Sequence, residues 1–210
     1  MTVLKEISQL LQQGKAPQLK ELVQKALDEG ISPQKILDEG MLSGMNIIGN
    51  KFKNNEVFVP QVLIAARAMN AGVEVLKPYL VKAGIEPKGT VIIGTVKGDL
   101  HDIGKNLVKM MIESKGFTVI DLGVDVGTDK FVEAALEREA DIVCCSSLLT
   151  TTMDEIGNVV KAFENRGMRN RVKIMIGGAP VTQEFCDSIR ADCYTPDAAS
   201  AADAALDLCS

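Results

Sequence analysis

The sequence predicts an α/β protein in which an N-terminal four-helix bundle precedes a flavodoxin- or Rossmann-like, doubly wound parallel sheet of five strands. Residues up to about Gly84 have apolar side chains at helical spacing. From Thr90 onward, short apolar strands alternate with amphipathic helices, which is the pattern of a parallel sheet covered on both faces. We therefore predict a helical domain at 1–84, a glycine- and proline-containing linker at 85–89, and an α/β domain at 90–210.

Four helices are expected in the first domain. The first ends at Gly14 and the second spans about 17–30. The third begins at Ser32-Pro33, where a hydroxyl N-cap precedes a proline at the first helical position, and continues to Phe52. The fourth opens at Pro60, and Pro78 is expected to bend or end it.

In the second domain, strands are expected at about 90–96, 118–122, 141–146, 172–176 and 193–194, in the order 2-1-3-4-5. Helices are expected to start near residues 104, 128, 152, 181 and 197. On the first of these helices, the residues expected to face water are Lys105, Asn106, Lys109 and Glu113.

Composition excludes several classes of function. A formal net charge of −5 argues against binding nucleic acid through phosphate neutralisation, and 4% aromatic residues without tryptophan make base stacking improbable. No apolar run reaches the length of a membrane span and the N-terminus lacks a signal peptide's apolar core, so we expect a cytoplasmic protein. The five cysteines have no C-x-x-C spacing, which argues against a zinc or iron–sulfur site.

His101 is the one histidine of the chain and lies on a predicted strand-to-helix turn between Asp99 and Asp102. Such turns, at the carboxyl ends of the strands, are where α/β sheets bind ligands. An imidazole whose second nitrogen is held by a carboxylate is a typical metal ligand. Gly104 would let a bulky group approach the backbone. The alternative is a solvated loop histidine, with Asp99 capping the next helix.

The same edge of the predicted sheet collects further polar groups. The turn after strand three contributes the hydroxyl-rich run 146–152, and the turn after strand four contributes Gly177-Gly178. Together they predict a ligand site. In the alternative reading, Thr152 caps its helix and the glycines only allow a tight turn. A dinucleotide site is excluded because no G-x-G-x-x-G follows strand one, and a receiver domain because strand three ends in serines.

These motifs resemble a known family. Asp99-x-His101-x-x-Gly104, Ser146-x-Leu148 and Gly177-Gly178 are similar in order and spacing to the D-x-H-x-x-G…S-x-L…G-G signature of cobalamin-binding domains. The preceding helices resemble the cap of methionine synthase and of the small corrinoid proteins in methylamine, methanol and glycine betaine methyltransferase systems. The likeness covers essentially the whole chain.

The resemblance implies a role for each matching residue. His101 would be the lower cobalt ligand, with Asp99 on its other nitrogen and Thr152 in place of the family's serine hydroxyl. Phe52 and Val59 would shield the upper, methyl-bearing face, which Glu39 would approach; the apolar residues at 57–59 also suit a hydrophobic staple onto the bundle. The full set of residues expected to contact the cofactor is Gly98, Asp99, Leu100, His101, Asp102, Gly104, Ser146, Leu148, Thr150, Gly177, Gly178, Ala198, Phe52, Val59 and Glu39.

The resemblance also implies a function. The chain would be a corrinoid methyl-carrier that binds cobalamin base-off/His-on and alternates between methylcobalamin and cob(I)alamin. It would take a methyl group from a substrate-specific methyltransferase and give it to a second methyltransferase acting on tetrahydrofolate or a thiol, and a reductive activator is a further candidate partner. No nucleic acid or membrane partner is expected. The linker would act as the hinge of a mobile cap.

Three alternatives remain at this point. An adenosylcobalamin-dependent mutase subunit shares the lower signature, but such proteins place a barrel over the corrin instead of a helical cap. A cobalamin-sensing regulator would carry a basic DNA-binding segment, which the sequence does not contain. A flavodoxin-like domain without a corrin would leave the motif unexplained.

Overall fold

The computed structural model describes residues 2–209, which divide into two compact units, one ending at Pro87 and the other beginning at Lys88. The dividing point lies within the segment that we proposed as a linker. Each unit has its own buried apolar residues.

The first unit is helical. Its elements are α1 (Val3–Gln12), α2 (Ala16–Asp28), α3 (Pro33–Lys35), a π-helix (Ile36–Leu42), α4 (Ser43–Lys53) and α5 (Val59–Lys82). The predicted apolar stripes form its core: Ile7 and Leu11 of α1 and Leu19 of α2 are fully buried. The Ser32 hydroxyl accepts the N–H of Lys35, so the predicted N-cap of the third helix is confirmed.

A π-helical turn interrupts the third helix, which the sequence predicted as one regular element. The π-helix lies between α3 and α4, and two glycines bring it and the start of α4 against α1. A Cβ at Gly40 would lie 2.9 Å from Ile7 Cγ2, and one at Gly44 would lie 3.0 Å from the Ser8 carbonyl oxygen. Both glycines thus lie where a side chain would be too close to α1.

Of the two outcomes expected at Pro78, a bend or an end of the helix, the end is wrong. Helix α5 continues through Pro78 to Lys82. A proline removes one intrahelical hydrogen bond. The long α5 packs along α2, and buried residues such as Met69 and Leu76 hold it there. Tertiary packing therefore outweighs the local cost of the proline.

The second unit confirms the predicted α/β fold. In the part of the chain that the structure describes, five parallel strands form one sheet in the order β2-β1-β3-β4-β5. The strands are β1 (Thr90–Thr95), β2 (Thr118–Asp121), β3 (Ile142–Ser146), β4 (Lys173–Gly177) and β5 (Cys193–Tyr194). The helices are α6 (Ile103–Glu113), α7 (Thr128–Glu137), α8 (Met153–Asn165), α9 (Gln183–Ile189) and α10 (Ala198–Leu208), and a short 3-10 turn covers Thr150–Thr152.

Burial on both faces explains why the central strands read as continuous apolar runs. Residues 91–93 of β1 and 142–145 of β3 are buried throughout. On one face, Phe131 of α7 and Phe163 of α8 are fully buried in a single apolar core. Helix α10 packs against α6. This arrangement fixes β1 and β3 side by side, with their carboxyl ends at one edge.

The expectation that Lys105 faces water is wrong. Its side chain is 2% exposed, and its Nζ lies 2.7 Å from both carboxylate oxygens of Asp121 at the end of β2. Burial raises the pKa of Asp121, but the hydrogen bonds from Lys105 and from the Gly123 N–H outweigh this effect and lower it. The pair therefore ties α6, the helix that follows His101, to the edge of the sheet.

Within residues 2–209, no helix is both long enough and apolar enough to cross a membrane. Cys144 and Cys145 lie buried in β3, as expected for small apolar side chains, and burial raises the pKa of the Cys144 thiol to about 12. Among the described residues, no group of three or more histidine, cysteine, aspartate or glutamate side chains could enclose a metal ion.

Candidate functional site

His101 lies in the loop between β1 and α6, at the carboxyl edge of the sheet. Its side chain is 52% exposed, whereas the Asp99 side chain is completely buried. The ring Nδ1 lies 2.9 Å from Asp99 Oδ1. A histidine in a solvated loop has no reason to be fixed by a buried carboxylate, so this geometry favours the ligand interpretation of His101.

Five hydrogen bonds hold the Asp99 carboxylate. Oδ1 accepts the backbone N–H of His101 at 3.1 Å as well as the ring. Oδ2 accepts the N–H groups of Leu148 and Leu149, at 2.7 and 3.2 Å, and the hydroxyl of Thr152 at 3.0 Å. Burial raises the pKa of Asp99, but the hydrogen bonds from Leu148, His101 and Thr152 outweigh it and hold the pKa well below the ordinary value.

The negative charge of Asp99 determines which nitrogen of the neutral His101 ring carries the hydrogen. Because Asp99 is a carboxylate, the hydrogen between it and His101 Nδ1 belongs to the ring. In the neutral imidazole, Nε2 then carries the lone pair. Nε2 makes no hydrogen bond with any residue in the range 2–209. Because the side chain is half-exposed, Nε2 is available to a ligand from outside the protein.

A chain of hydroxyl groups continues behind Asp99. Thr152 Oγ1 lies 2.9 Å from Ser147 Oγ, and Ser147 Oγ lies 3.1 Å from the Leu149 carbonyl oxygen. Both hydroxyl side chains are buried. Thr152 immediately precedes α8 but makes no capping hydrogen bond to it, so the interpretation of Thr152 as a simple N-cap is wrong. Its hydroxyl instead donates to Asp99 Oδ2, and a charged acceptor makes this a strong hydrogen bond.

Two polar residues of this site, Ser147 and Thr95, were not predicted from the sequence. Ser147 is fully buried next to Thr152, yet the motif pointed to its neighbour Ser146. Thr95, the last residue of β1, is fully buried and donates its hydroxyl to the His101 carbonyl oxygen at 2.7 Å. A polar residue ending an otherwise apolar strand directly before the motif was the available signal for Thr95.

The glycine pair has a structural explanation. Gly178 has φ +133°, and a Cβ there would collide with the Ser147 carbonyl oxygen. A Cβ at Gly177 would lie 3.3 Å from the Thr195 carbonyl oxygen. The tight-turn alternative therefore accounts for Gly178, whose missing side chain lets the β3–α8 loop approach β4.

The other predicted residues of this unit lie around the same edge. Ser146 is paired across the strands with Thr95 and Gly177, and Thr150 is exposed in the 3-10 turn. Ala198 is buried at the start of α10, where Asp197 provides the N-cap. The remaining predicted residues belong to the His101 loop and the start of α6: Gly98, Leu100, Asp102 and Gly104.

Exposed apolar side chains flank His101. Leu100 is 71% exposed and Ile103 is 77% exposed, and Leu148 and Leu149 are also exposed on the neighbouring loop. Large apolar side chains left in water on functional loops are typical of a binding surface. Leu100 and Leu148 were predicted, whereas Ile103 and Leu149 were not.

The donor set fits a corrinoid. One imidazole with a free nitrogen can supply a single ligand, and the described residues contain no group of three or more side chains that would enclose a metal ion without a cofactor. A metal that brings its own equatorial nitrogens, as a corrin does, needs only that one ligand. The exposed apolar side chains beside His101 suit a large, mainly apolar macrocycle.

The three residues predicted to lie over the upper face belong to the first unit. Phe52 is half-buried near the end of α4, and Val59 is the half-buried first residue of α5. Glu39 lies in the π-helix, with Oε1 4.0 Å from Lys35 Nζ. Phe58, which precedes α5, is 64% exposed. The roles of Phe52, Val59 and Glu39 stay predictions.

Comparison with known proteins agrees with this chemistry. Two family models, both described as B12 binding domain, match residues 89–206 and 3–77. Dimethylamine corrinoid protein 2 of Methanosarcina acetivorans is 42% identical over 98% of this chain and 95% of its own length. Trimethylamine corrinoid protein 1 of the same organism is 45% identical over 83% of this chain and 82% of its own length.

A solved structure gives the same result. The methanol:cobalamin methyltransferase complex MtaBC of Methanosarcina barkeri contains a chain that matches with a TM-score of 0.89 and 28% identity, over 99% of this chain and 79% of that chain. The family indicated by the sequence motifs is confirmed. This chain belongs to the B12-binding corrinoid proteins.

Proposed function

We propose that this chain is a methyl-carrying corrinoid protein that binds its cofactor base-off, with His101 as the lower cobalt ligand. The observation that carries the proposal is a half-exposed His101 side chain whose Nδ1 is held by the buried Asp99 carboxylate, while its Nε2 has no hydrogen-bond partner among residues 2–209. The similarity to dimethylamine and trimethylamine corrinoid proteins supports the methyl-carrier role. When bound, the corrinoid supplies a cobalt centre that accepts and releases a methyl group.

Each residue behind His101 has a defined task in this proposal. Asp99 keeps the proton of His101 on Nδ1 and thereby leaves the Nε2 lone pair available for cobalt. Thr152 and the backbone N–H groups of the β3–α8 loop hold the carboxylate in place.

The same residues could hold a proton if His101 were released from the cobalt. A free His101 can bind a proton at Nε2, and the resulting imidazolium would be paired with Asp99 at Nδ1. The hydrogen-bonded hydroxyls of Thr152 and Ser147 extend this path away from the ring. The buried path excludes bulk water from the carboxylate.

We further propose that the displaced nucleotide tail of the cofactor lies along the edge formed by the loops after β3 and β4. Ser146 and Thr150 would offer hydroxyl groups, and Gly177 and Ala198 would border the space. Gly178 would not line this space directly, because the Ser147 backbone lies where a Gly178 side chain would be. It would contribute by letting the loop after β3 approach β4.

The partners follow from the division of labour in such systems. The methyl donor would be bound by a substrate-specific methyltransferase acting on a methylamine, glycine betaine or a similar compound. A second methyltransferase would pass the methyl group to tetrahydrofolate or a thiol, and a reductive activator would restore oxidised cofactor. The occurrence of a related chain in a methanol:cobalamin methyltransferase complex supports a methyltransferase partner. Phe52, Val59 and Glu39 are proposed to protect the methyl-bearing face, with the linker as hinge.

The first test is reconstitution of the chain with cobalamin, followed by absorption spectra of wild type and His101→Ala. We expect a histidine-ligated spectrum from wild type and a water-ligated or base-off spectrum from the variant, because the chain has no other histidine. Identical spectra would remove His101 from its role. Co-purification with a methyltransferase is expected, whereas recovery of a mutase barrel subunit would contradict the methyl-carrier role.

A further inference from the structure

A residue outside the recognised motif holds the loop that carries Asp99 and His101. Asp125 lies in the loop between β2 and α7, and its Oδ1 accepts the Gly98 N–H at 2.7 Å. The Asp125 N–H donates in return to the Asp99 carbonyl oxygen at 2.9 Å. These two reciprocal bonds fix the backbone immediately before His101.

The backbone of Asp125 suits this position. Its φ is +52°, in the left-handed region, which glycine, asparagine and aspartate tolerate better than other residues. Gly98, its partner, has φ +79°. The next residue, Val126, donates its N–H to the Thr95 carbonyl oxygen at 3.0 Å and is bridged to Val96. The β2–α7 loop is therefore anchored to the end of β1 at the point from which Asp125 holds the motif.

The far end of the same segment is also fixed. The buried Thr95 hydroxyl donates to the His101 carbonyl oxygen at 2.7 Å. The backbone from Gly98 to His101 is thus held at both ends, independently of the Asp99 side chain. The position of the imidazole depends on this backbone, because one short side chain connects the ring to it.

We propose that Asp125 is a positioning residue that fixes Gly98 and Asp99 and thereby holds His101 Nε2 where it ligates cobalt. This inference rests on the proposed function, in which His101 is the lower ligand. Asp125 itself does not contact the cofactor in this account. Its carboxylate is exposed, and it acts through a hydrogen bond to a backbone N–H.

Two variants separate the hydrogen bond from the backbone conformation. Asp125→Asn keeps both an acceptor oxygen and tolerance of a positive φ. Asp125→Gly keeps the conformation and the backbone N–H but removes the acceptor for the Gly98 N–H. Glu139→Gly is the matched control: Glu139 is exposed, has φ +49°, and lies before β3 at the opposite edge of the sheet.

The first readout is the electron paramagnetic resonance spectrum of the Co(II) form of the reconstituted protein, which reports a bound imidazole nitrogen. Loss of a hydrogen bond to a charged acceptor should lower the ratio of histidine-ligated to unligated protein about tenfold in Asp125→Gly. Asp125→Asn and Glu139→Gly should resemble wild type. A wild-type ratio in Asp125→Gly, or an equal loss in Asp125→Asn, would overturn the proposal while leaving the proposed function intact.

The second readout needs no cofactor. The ring of the single histidine gives one assignable set of nuclear magnetic resonance signals in the apoprotein. We expect the Nδ1–H signal to be sharp in wild type and to broaden or vanish in Asp125→Gly, because the ring no longer stays beside Asp99. A sharp signal in that variant would refute positioning by Asp125. If wild type itself shows no nitrogen ligation to cobalt, the proposed function fails, and this signal alone decides the positioning role.

Discussion

Replacing Asp99 by asparagine should reverse the tautomer of His101. The amide oxygen would be expected to take the place of Oδ2, where two backbone N–H groups and the Thr152 hydroxyl converge. The amide NH₂ would then face His101, and only Nδ1 of that ring can accept a hydrogen bond from it. The ring proton would move to Nε2. Asp99→Asn would thus block the nitrogen that we assign to cobalt, without removing the histidine.

The energetic cost can be worked out from the same hydrogen bonds. The backbone N–H of His101, which donates to Oδ1 at 3.1 Å, would lose its acceptor in Asp99→Asn. A partly buried donor that loses its acceptor costs about 1 kcal/mol, and three donors that exchange a charged acceptor for a neutral one lose about 0.7 kcal/mol each. The free energy of unfolding of the apoprotein should therefore fall by about 3 kcal/mol. Corrinoid affinity should fall by roughly 10- to 100-fold, as for other partners of metal-bound histidines.

Nuclear magnetic resonance of ¹⁵N-histidine-labelled protein measures the tautomer directly, because only one histidine contributes. We expect the proton on Nδ1 in wild type and on Nε2 in Asp99→Asn. Urea unfolding of both proteins measures the stability difference, and titration with cobalamin measures the affinity. The reasoning is refuted if the variant keeps its proton on Nδ1 and binds cobalamin as tightly as wild type.

Three further predictions concern the surroundings of this site. Thr152→Val should destabilise the apoprotein by about 2 kcal/mol in urea unfolding, whereas Thr152→Ser, which keeps the hydroxyl, should cost less than about 1 kcal/mol; equal losses would contradict a role for the hydroxyl. Lys105→Met should lower the free energy of unfolding by about 2 kcal/mol at neutral pH, because Asp121 is partly exposed and keeps Lys109 as a neighbouring charge. Lys105 helps lower the pKa of Asp121, so the stability that their pairing provides is present above the ordinary carboxyl pKa of about 4. It is lost as the pH falls through the lower pKa of Asp121 in the folded protein. Lys105→Met should therefore lose less stability on acidification than wild type. Gly178→Ala should unfold at markedly lower urea, because its Cβ collides with backbone. Gly104→Ala should keep apoprotein stability and lose corrinoid affinity, since a Cβ there meets no atom within 4 Å apart from its chain neighbours and the backbone of its own helix. An unchanged affinity in Gly104→Ala would remove Gly104 from the binding surface.

The fold was predictable because its signals are local and repeated. Apolar runs in the sequence matched the five strands within one or two residues, and the strand order followed from the known topology of such sheets. The exceptions depend on tertiary packing. Pro78 stays inside α5 because α2 packs along that helix, and the π-helix places Gly40 against α1. Neither contact is visible in a local pattern.

The candidate site was predictable where one short motif contains both partners. Asp99 and His101 are two residues apart, so their contact follows from the turn that carries them. Asp125 contacts the same loop from a different turn, and no motif in the neighbouring sequence identifies it as part of the site. Lys105 was placed in water because a lysine beside an apolar stripe is normally solvated, and its burial depends on Asp121 at the sheet edge.

The central claim is that a single imidazole nitrogen, His101 Nε2, binds the cobalt of the cofactor. The most direct test is electron paramagnetic resonance of the Co(II) form in protein labelled with ¹⁵N at histidine only. Because His101 is the one histidine in the sequence, its ligation predicts that the triplet splitting seen with ¹⁴N becomes a doublet. A spectrum that the label leaves unchanged would show that no histidine nitrogen binds the metal.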